Sequence, residues 1–327
     1  MIISQTPLRV SFVGGGTDLP DYYHEQSGAV LSTAIDKYIY VIVKGRFDEK
    51  VVVNYSQKEI VNNVVDVKHE LIREALKMTG ISNGIEITTL ADIPSEGTGL
   101  GSSSSVTVGL LNAMYAYKGR QLSAERLANE ACKIEIELCG KPIGKQDQYI
   151  AAFGGLNEIR FHPDETVEVI NLDLTKQERL ILGSNLLLFY TGITRKSSSI
   201  LCKQKKEINN KRSLFTQMKD QVKYLHKYLL ESEYDELGRL LDEGWNYKKQ
   251  LVDNMTNKGI DTMYQKAKNA GALGGKISGA GGGGFLLLYV PRNKQDVVRK
   301  VLGEHRELPF MLTPFGSRVI FNIEKGN

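Results

Sequence analysis

Long apolar runs are missing from this 327-residue chain. No stretch of about 18 uncharged apolar residues exists to span a bilayer. The opening Met1-Ile2-Ile3-Ser4-Gln5-Thr6-Pro7 lacks the basic start, apolar run and small-residue cleavage site of a secretory signal. Cysteine is scarce and odd in number: Cys132, Cys139 and Cys202 make no disulfide framework, and they fit a reducing, cytoplasmic compartment. Cys132 and Cys139 stand one heptad apart, but a metal role lacks a third and fourth ligand. The five histidines form no HExxH or other ligand cluster, and Gly-x-Ser-x-Gly is missing around the serines. A histidine metal site and a Ser-His-Asp hydrolase therefore find no support. Charge of one sign is lacking too, since 42 Lys and Arg against 38 Asp and Glu leave +4 spread along the chain, weak grounds for nucleic-acid binding.

What is present is a globular composition, 41% hydrophobic and 24% charged, long enough for two domains sharing a cleft. The alternation of apolar residues predicts strands at 8–13, 35–43 and 51–55, a helix over 65–78 and a strand at 85–90. A glycine loop then feeds a helix whose first turn is made of small hydroxyl residues and which continues through the apolar series from Val106 to Met114, and a second helix is expected over 124–138, broken by Lys141-Pro142-Ile143-Gly144. A turn or short helix from Gln146 ends at Gly154-Gly155, ahead of paired strands at 156–161 and 167–172 and another at 186–190. From 196 to 268 the pattern is helical, interrupted near 231–234 and 253–257, before a glycine-rich loop and strands at 285–290 and 318–323. The domain change is expected near Leu186 to Lys196, giving units 1–190 and 191–327.

Many of the 32 glycines gather in three segments. The first, Gly14-Gly15-Gly16-Thr17-Asp18, can bring backbone close to a ligand. The second runs Gly97-Thr98-Gly99-Leu100-Gly101-Ser102-Ser103-Ser104-Ser105 into a helix. Unpaired N–H groups at a helix start attract anions, and the serine hydroxyls can bond phosphate oxygens or ligate Mg²⁺. The alternative is a serine-rich cap on a flexible loop. Neither GxxxxGK[ST] nor GxGxxG is met, so any nucleotide site is of a third kind. The third segment places five glycines among the six residues from Gly279 to Gly284, which argues for close approach to a ligand or another loop, with a permissive surface turn as the alternative.

Phosphoryl transfer needs charge neutralisation, a positioned hydroxyl and a carboxylate to take or orient its proton. Asp147, just after the Pro/Gly break, is the candidate carboxylate, and Arg9 beside the first glycine loop is its candidate cation. Glu135 and Glu137 sit at i and i+2 on a helix, so at most one points at a metal, and either could simply be solvated. Asp18 can hold sugar hydroxyls or close an Asx-turn. Arg195-Lys196 begin a basic run that either decorates a helix or contacts a phosphate already on the substrate.

Taken together, three stretches resemble the galactokinase, homoserine kinase, mevalonate kinase and phosphomevalonate kinase (GHMP) superfamily. They are Pro7-Leu8-Arg9-Val10-Ser11-Phe12-Val13-Gly14-Gly15-Gly16-Thr17-Asp18, Pro94 to Ser103, and Lys276-Ile277-Ser278-Gly279-Ala280-Gly281, in the family's order. The resemblance implies an α+β fold with an N-terminal domain like the second domain of ribosomal protein S5. It also implies a ferredoxin-like C-terminal domain with added helices, and an active site between the two. It implies that Pro94, Gly97, Thr98, Gly99, Leu100, Gly101, Ser102, Ser103 and Ser104 surround ATP, with Ser103 and Glu135 as magnesium ligands. Serine at 104 departs from the usual alanine and blurs which serine reaches the metal. Asp147 matches the catalytic aspartate and Arg9 its partner. The acceptor side would be formed by Gly15, Gly16, Thr17, Asp18, Asp147, Thr191, Arg195, Lys196, Gly279 and Gly281.

Within the superfamily, three stretches are most similar to the branch that phosphorylates C1 of D-glycero-D-manno-heptose 7-phosphate. They are Leu8 to Pro20, Gly144-Lys145-Gln146-Asp147-Gln148-Tyr149, and Tyr190 to Ser198. Gly14-Gly15-Gly16 stands where galactokinases carry Gly-Glu-His, which argues against galactose itself. The implied partners are a small sugar phosphate, with neither nucleic acid nor membrane, and a homodimer is left open. A C1 kinase for fucose or mannose, or a nucleotide or sugar sensor on the same fold, are the competing expectations.

Overall fold

The computed structural model describes residues 1–94, 97–194, 197–253 and 255–323. The chain begins with β1 (Ile2–Val13), α1 (Pro20–Tyr23), β2 (Gly28–Gly45), β3 (Val51–Asn54), β4 (Lys58–Val61), α2 (Glu70–Thr79) and β5 (Ile85–Ala91). There follow α3 (Ser102–Tyr117), α4 (Ala124–Cys132), a π-helical turn at Lys133–Leu138, α5 (Gln146–Phe153), β6 (Leu156–Phe161), β7 (Val167–Asn171), α6 (Lys176–Ser184) and β8 (Leu186–Tyr190). The remainder is α7 (Ser197–Glu207), α8 (Arg212–Leu230), α9 (Asp235–Lys249), α10 (Lys258–Asn269), β9 (Gly274–Ile277), β10 (Phe285–Tyr289), α11 (Gln295–Val301) and β11 (Arg318–Asn322).

The length of β2, eighteen residues rich in Val, Ile and Tyr, organises the first sheet. It pairs with β1 along one edge, and on the other with β6 at its beginning and β5 at its end. The sheet runs β11-β1-β2-β5-β3-β4, with β6 and β7 attached off β2. α3 lies directly on β1 and β2, and Gly109 makes this possible: a methyl there would stand 2.9 Å from Thr6 Oγ1 and 3.2 Å from Val41 Cγ2. α8 and α9 also reach β1, so its burial becomes continuous from Thr6 onward.

The second sheet has the antiparallel order β8-β10-β9. Residues 306–308 extend it beyond β8, where Tyr190 N–H donates to the Arg306 carbonyl and Leu308 N–H to the Leu188 carbonyl, both at 2.8 Å. Counted along the chain, the order is fourth, first, third, second, the ferredoxin-like β-α-β-β-α-β arrangement with extra helices between its first two strands. A separate core of Trp245, Phe215, Met218, Phe189, Leu286 and Leu288 lies with this sheet and its helices.

Several elements differ from the sequence pattern. The expected helix over 65–78 divides into a 3₁₀ turn at Val64–Asp66 and α2, and the expected helix over 124–138 turns from α to π at Lys133. Gly274 and Gly275, expected in a loop, lie in β9, paired with β10, and glycine is needed at 274 because a Cβ there would collide with the Gly238 carbonyl of α9. β8, on the N-terminal side of the expected division at 190, is a strand of the second sheet, whereas β11 returns to the first.

Candidate active site

Glycine, not a side-chain cap, shapes the start of α3. Gly101 sits at the N-cap with φ 77°, no side chain caps the helix, and the early N–H groups are left for a ligand. The loop from Gly97 to Ser104 lines a cleft of about 410 Å³ whose other wall includes Ser278 to Gly281. Gly99 and Gly279 touch across it, and a methyl on Gly279 would stand 2.7 Å from Gly99 Cα. The third glycine segment is therefore required for loop-to-loop contact.

Arg9 projects from β1 beneath this contact and is 4% exposed. Its Nε and Nη2 donate to the two oxygens of Asp147, each at 2.6 Å, and its Nη1 donates to the Gly99 carbonyl at 2.5 Å. Such a bidentate pair fixes carboxylate orientation as well as charge. Asp147 stands in the first turn of α5. It faces the phosphate-loop cleft and also a smaller compartment of about 70 Å³ lined by Ser11, Gly15, Gly16, Asp18, Lys248 and Lys276. The two spaces meet at Arg9 and Asp147.

Asp18 is held by backbone: Oδ1 accepts from Gly16 N–H at 3.0 Å and Oδ2 from Gln146 N–H at 3.3 Å. Burial, and next the charge of Asp147, push its carboxyl above the usual aspartate range. Gly144 leaves the space for that carboxylate, which a Cβ would overlap.

Glu135 lies inside the π turn, fully buried, while Glu137 faces outward. π turns recur at functional sites because the extra residue re-aims a side chain. Ser103 Oγ donates to Glu135 Oε1 at 2.5 Å, and Ser104 Oγ to Oε2 at 2.6 Å. Gln148 Nε2 also donates to Oε2, at 2.7 Å. Both serines thus meet the glutamate, but Ser103 is open to the cleft and Ser104 is buried. Lys141 Nζ stands 3.0 Å from Ser103 Oγ and 3.6 Å from Glu135 Oε1, so a cation already rests beside these oxygens.

Other expected site residues are placed differently. Thr17 is fully buried, and its hydroxyl bonds Gly14 and Ala29 backbone at 2.8 to 3.1 Å, outside the compartment lining. Thr191 Oγ1 donates to the Gly284 carbonyl at 2.8 Å, tying the end of β8 to the third glycine segment. Pro94 is exposed at a neighbouring recess that also holds Tyr190 and Phe285. Gly279 borders both spaces, whereas Gly281 borders only the phosphate-loop cleft. Arg195 and Lys196 lie outside the described residues.

Residues to which sequence reasoning gave no role join the site, among them Ser11, Lys141, Gln148, Lys276 and Lys248. Only Lys248 carried a signal. It follows Leu237, Leu241 and Trp245 at helical spacing, so it interrupts an apolar stripe where a charge has no structural reason to be.

The GHMP kinase N-terminal domain model matches residues 60–155 and the GHMP kinase C-terminal model residues 225–307. The chain is 30% identical over 318 residues to D-glycero-alpha-D-manno-heptose 7-phosphate kinase of Campylobacter jejuni, covering 93% of this chain and 94% of the relative. It superposes with a TM-score of 0.82 and 25% identity on a D-glycero-D-manno-heptose 1-phosphate kinase from Bacteroides thetaiotaomicron, over 99% of this chain and 100% of that one. Lactococcus lactis galactokinase, at 18% identity and a TM-score of 0.76, covers 97% and 94% and shares the fold. With both halves of the family matched in order, and the Campylobacter relative aligned nearly end to end, the chain belongs to the GHMP kinases and is an ATP-dependent sugar kinase.

Proposed function

We propose that the protein transfers the γ-phosphoryl group of ATP to the anomeric C1 hydroxyl of D-glycero-D-manno-heptose 7-phosphate, giving the 1,7-bisphosphate. The observation that carries this reading is Asp147, held by Arg9 where the phosphate-loop cleft meets the smaller compartment. A carboxylate there can accept the hydrogen bond of an acceptor hydroxyl and take its proton as oxygen attacks phosphorus and ADP leaves. Arg9 commits its guanidinium to Asp147 and Gly99, so it acts by keeping carboxylate and loop in register. Asp18, its oxygens anchored by N–H groups, is placed for sugar hydroxyls.

Ser103 and Glu135 are the residues that would hold Mg²⁺. A hydroxyl and a carboxylate suit a hard cation that takes its other ligands from water and phosphate oxygens, and the resting ammonium of Lys141 already marks the spot as favourable to positive charge. When bound, magnesium supplies charge neutralisation on the β and γ phosphates. The three free cysteines support a reducing, cytoplasmic setting, and among the described residues no helix is long and apolar enough to cross a membrane.

The two heptose kinase relatives differ in the position their names give the existing phosphate, at C7 or at C1. A C1 phosphate would leave no anomeric hydroxyl to attack. ADP release measured with heptose 7-phosphate, heptose 1-phosphate, heptose, fucose and mannose separates the readings. We expect the highest kcat/KM with heptose 7-phosphate, and a better rate with any other member rejects the assignment.

A further inference from the structure

The smaller compartment holds more buried donors than phosphoryl transfer uses. Lys248, in the last turn of α9, and Lys276, on β9, both line it and are 5% and 6% exposed. Lys248 Nζ donates to the Gly279 carbonyl, and Lys276 Nζ to the Phe12 carbonyl at 3.0 Å. Among the described residues, neither ammonium has a carboxylate within ion-pair distance. Arg9 is occupied by Asp147 and Gly99, and both oxygens of Asp18 already accept backbone N–H groups.

On the same wall, two residues along β1 from Arg9 and so on the same strand face, Ser11 Oγ is shielded and has no hydrogen-bond partner among the described residues. An ammonium carries three donors, and burying that of Lys248 with one carbonyl accepting and the Asp18 carboxylate beyond ion-pair distance is unfavourable unless something else meets it. Burial, and next the charge of Arg9, push Lys248 down to about 8, which leaves it largely protonated near neutrality, whereas burial, and next the charge of Lys248, push Lys276 well below the ordinary lysine value, so that Lys248 is the charged member of the two. A dianionic group bearing several oxygens would satisfy the Ser11 hydroxyl, the Lys248 ammonium and the Lys276 nitrogen together.

We propose that Lys248 and Ser11 are specificity-determining residues that read a phosphate monoester already carried by the acceptor sugar, with the Lys276 side-chain nitrogen adding a donor beside them. The inference rests on reading this compartment as the acceptor site. It assigns to α9 and β1 a task that the sequence pattern had offered to Arg195 and Lys196.

The test is calorimetric binding to the full chain with a non-hydrolysable ATP analogue present, comparing heptose 7-phosphate with heptose and mannose 6-phosphate with mannose. The native protein should bind the phosphorylated member of at least one pair about tenfold or more tightly. Lys248→Met should reduce that ratio below about threefold while leaving affinity for the analogue and the plain sugar within about threefold. Lys248→Arg should keep most of the preference, and Ser11→Ala should lower it several-fold. A ratio that persists in Lys248→Met, or no preference in the native protein for either pair, overturns the inference. Should Lys248→Met not fold, an unchanged ratio in Ser11→Ala overturns it. Lys248-dependent binding of mannose 6-phosphate without turnover of heptose 7-phosphate sinks the heptose assignment and leaves this inference standing. Turnover of heptose 7-phosphate with no binding preference for the phosphorylated sugar in either pair does the reverse.

Discussion

Asp147 and Arg9 form a pair whose geometry is complete before any ligand arrives, with three guanidinium hydrogen bonds between 2.5 and 2.6 Å. Asp147→Asn keeps the shape but removes the proton acceptor, so turnover should fall roughly 10²- to 10⁴-fold with little change in ATP affinity or melting temperature. Near-normal turnover would reject the role. Lys248 offers a different test. Its folded value of about 8 lies below the 10.5 of an ordinary lysine, so between those pH values the folded protein binds fewer protons than the unfolded chain. Stability owed to this group therefore rises from pH 8 to pH 10.5, and below pH 8 the cost of burying the ammonium is present in full. Lys248→Met should raise ligand-free stability at pH 7 by up to the order of 3 kcal/mol, a gain that shrinks toward pH 10. A pH-independent gain in thermal or urea melts contradicts this. Arg9 and Asp147 could be picked out as candidates from a residue pattern with a chemical reason, whereas Ser103 and Glu135 were separated from neighbouring serines and Glu137 only by the family resemblance. Ser11 was not legible, since a lone serine on a strand looks the same whether or not it has a partner.

Among the elements, the junction between the π turn and α5 does most to set the acceptor side. It carries Glu135 at one end and Asp147 at the other, and Gly144 between them lets Asp18 approach. Gly144→Ala should displace the Asp18 carboxylate and raise the sugar KM at least about tenfold, while the analogue still binds at the phosphate loop, because those contacts lie on the far side of Asp147. Equal losses in sugar and nucleotide binding would count against the separation of the two spaces. The glycine loop and α3 were visible in the sequence, as was the break before Gln146. α6 carried a readable start in Thr175 and Glu178, which form a reciprocal capping box, but its mixed apolar pattern hid it. β9 was hidden because its glycines serve the approach of α9, a long-range requirement that leaves no periodicity.

For the whole molecule, the chain passes from the first sheet to the second at β8 and comes back at β11, so the last strand closes the domain that the first strand opened. Around it, Thr6 and Ser317 hydroxyls meet at 2.8 Å, and Gly155 N–H donates to the Thr313 carbonyl at 3.1 Å. Removing residues from Leu312 onward should lower the melting temperature by roughly 10 °C or more, since edge pairing and these bonds are lost together. An unchanged melt would show that β11 is dispensable. This return was the part of the architecture least legible beforehand, because 318–323 reads as a strand while nothing local says which sheet it joins. The central claim is transfer from ATP to C1 of heptose 7-phosphate, and phosphorus NMR of the reaction product tests it most directly. A new phosphate resonance coupled to the anomeric proton is expected, equimolar with ADP and with the C7 phosphate retained. ADP formed with phosphate on any other carbon, or no sugar-dependent ADP at all, would contradict it.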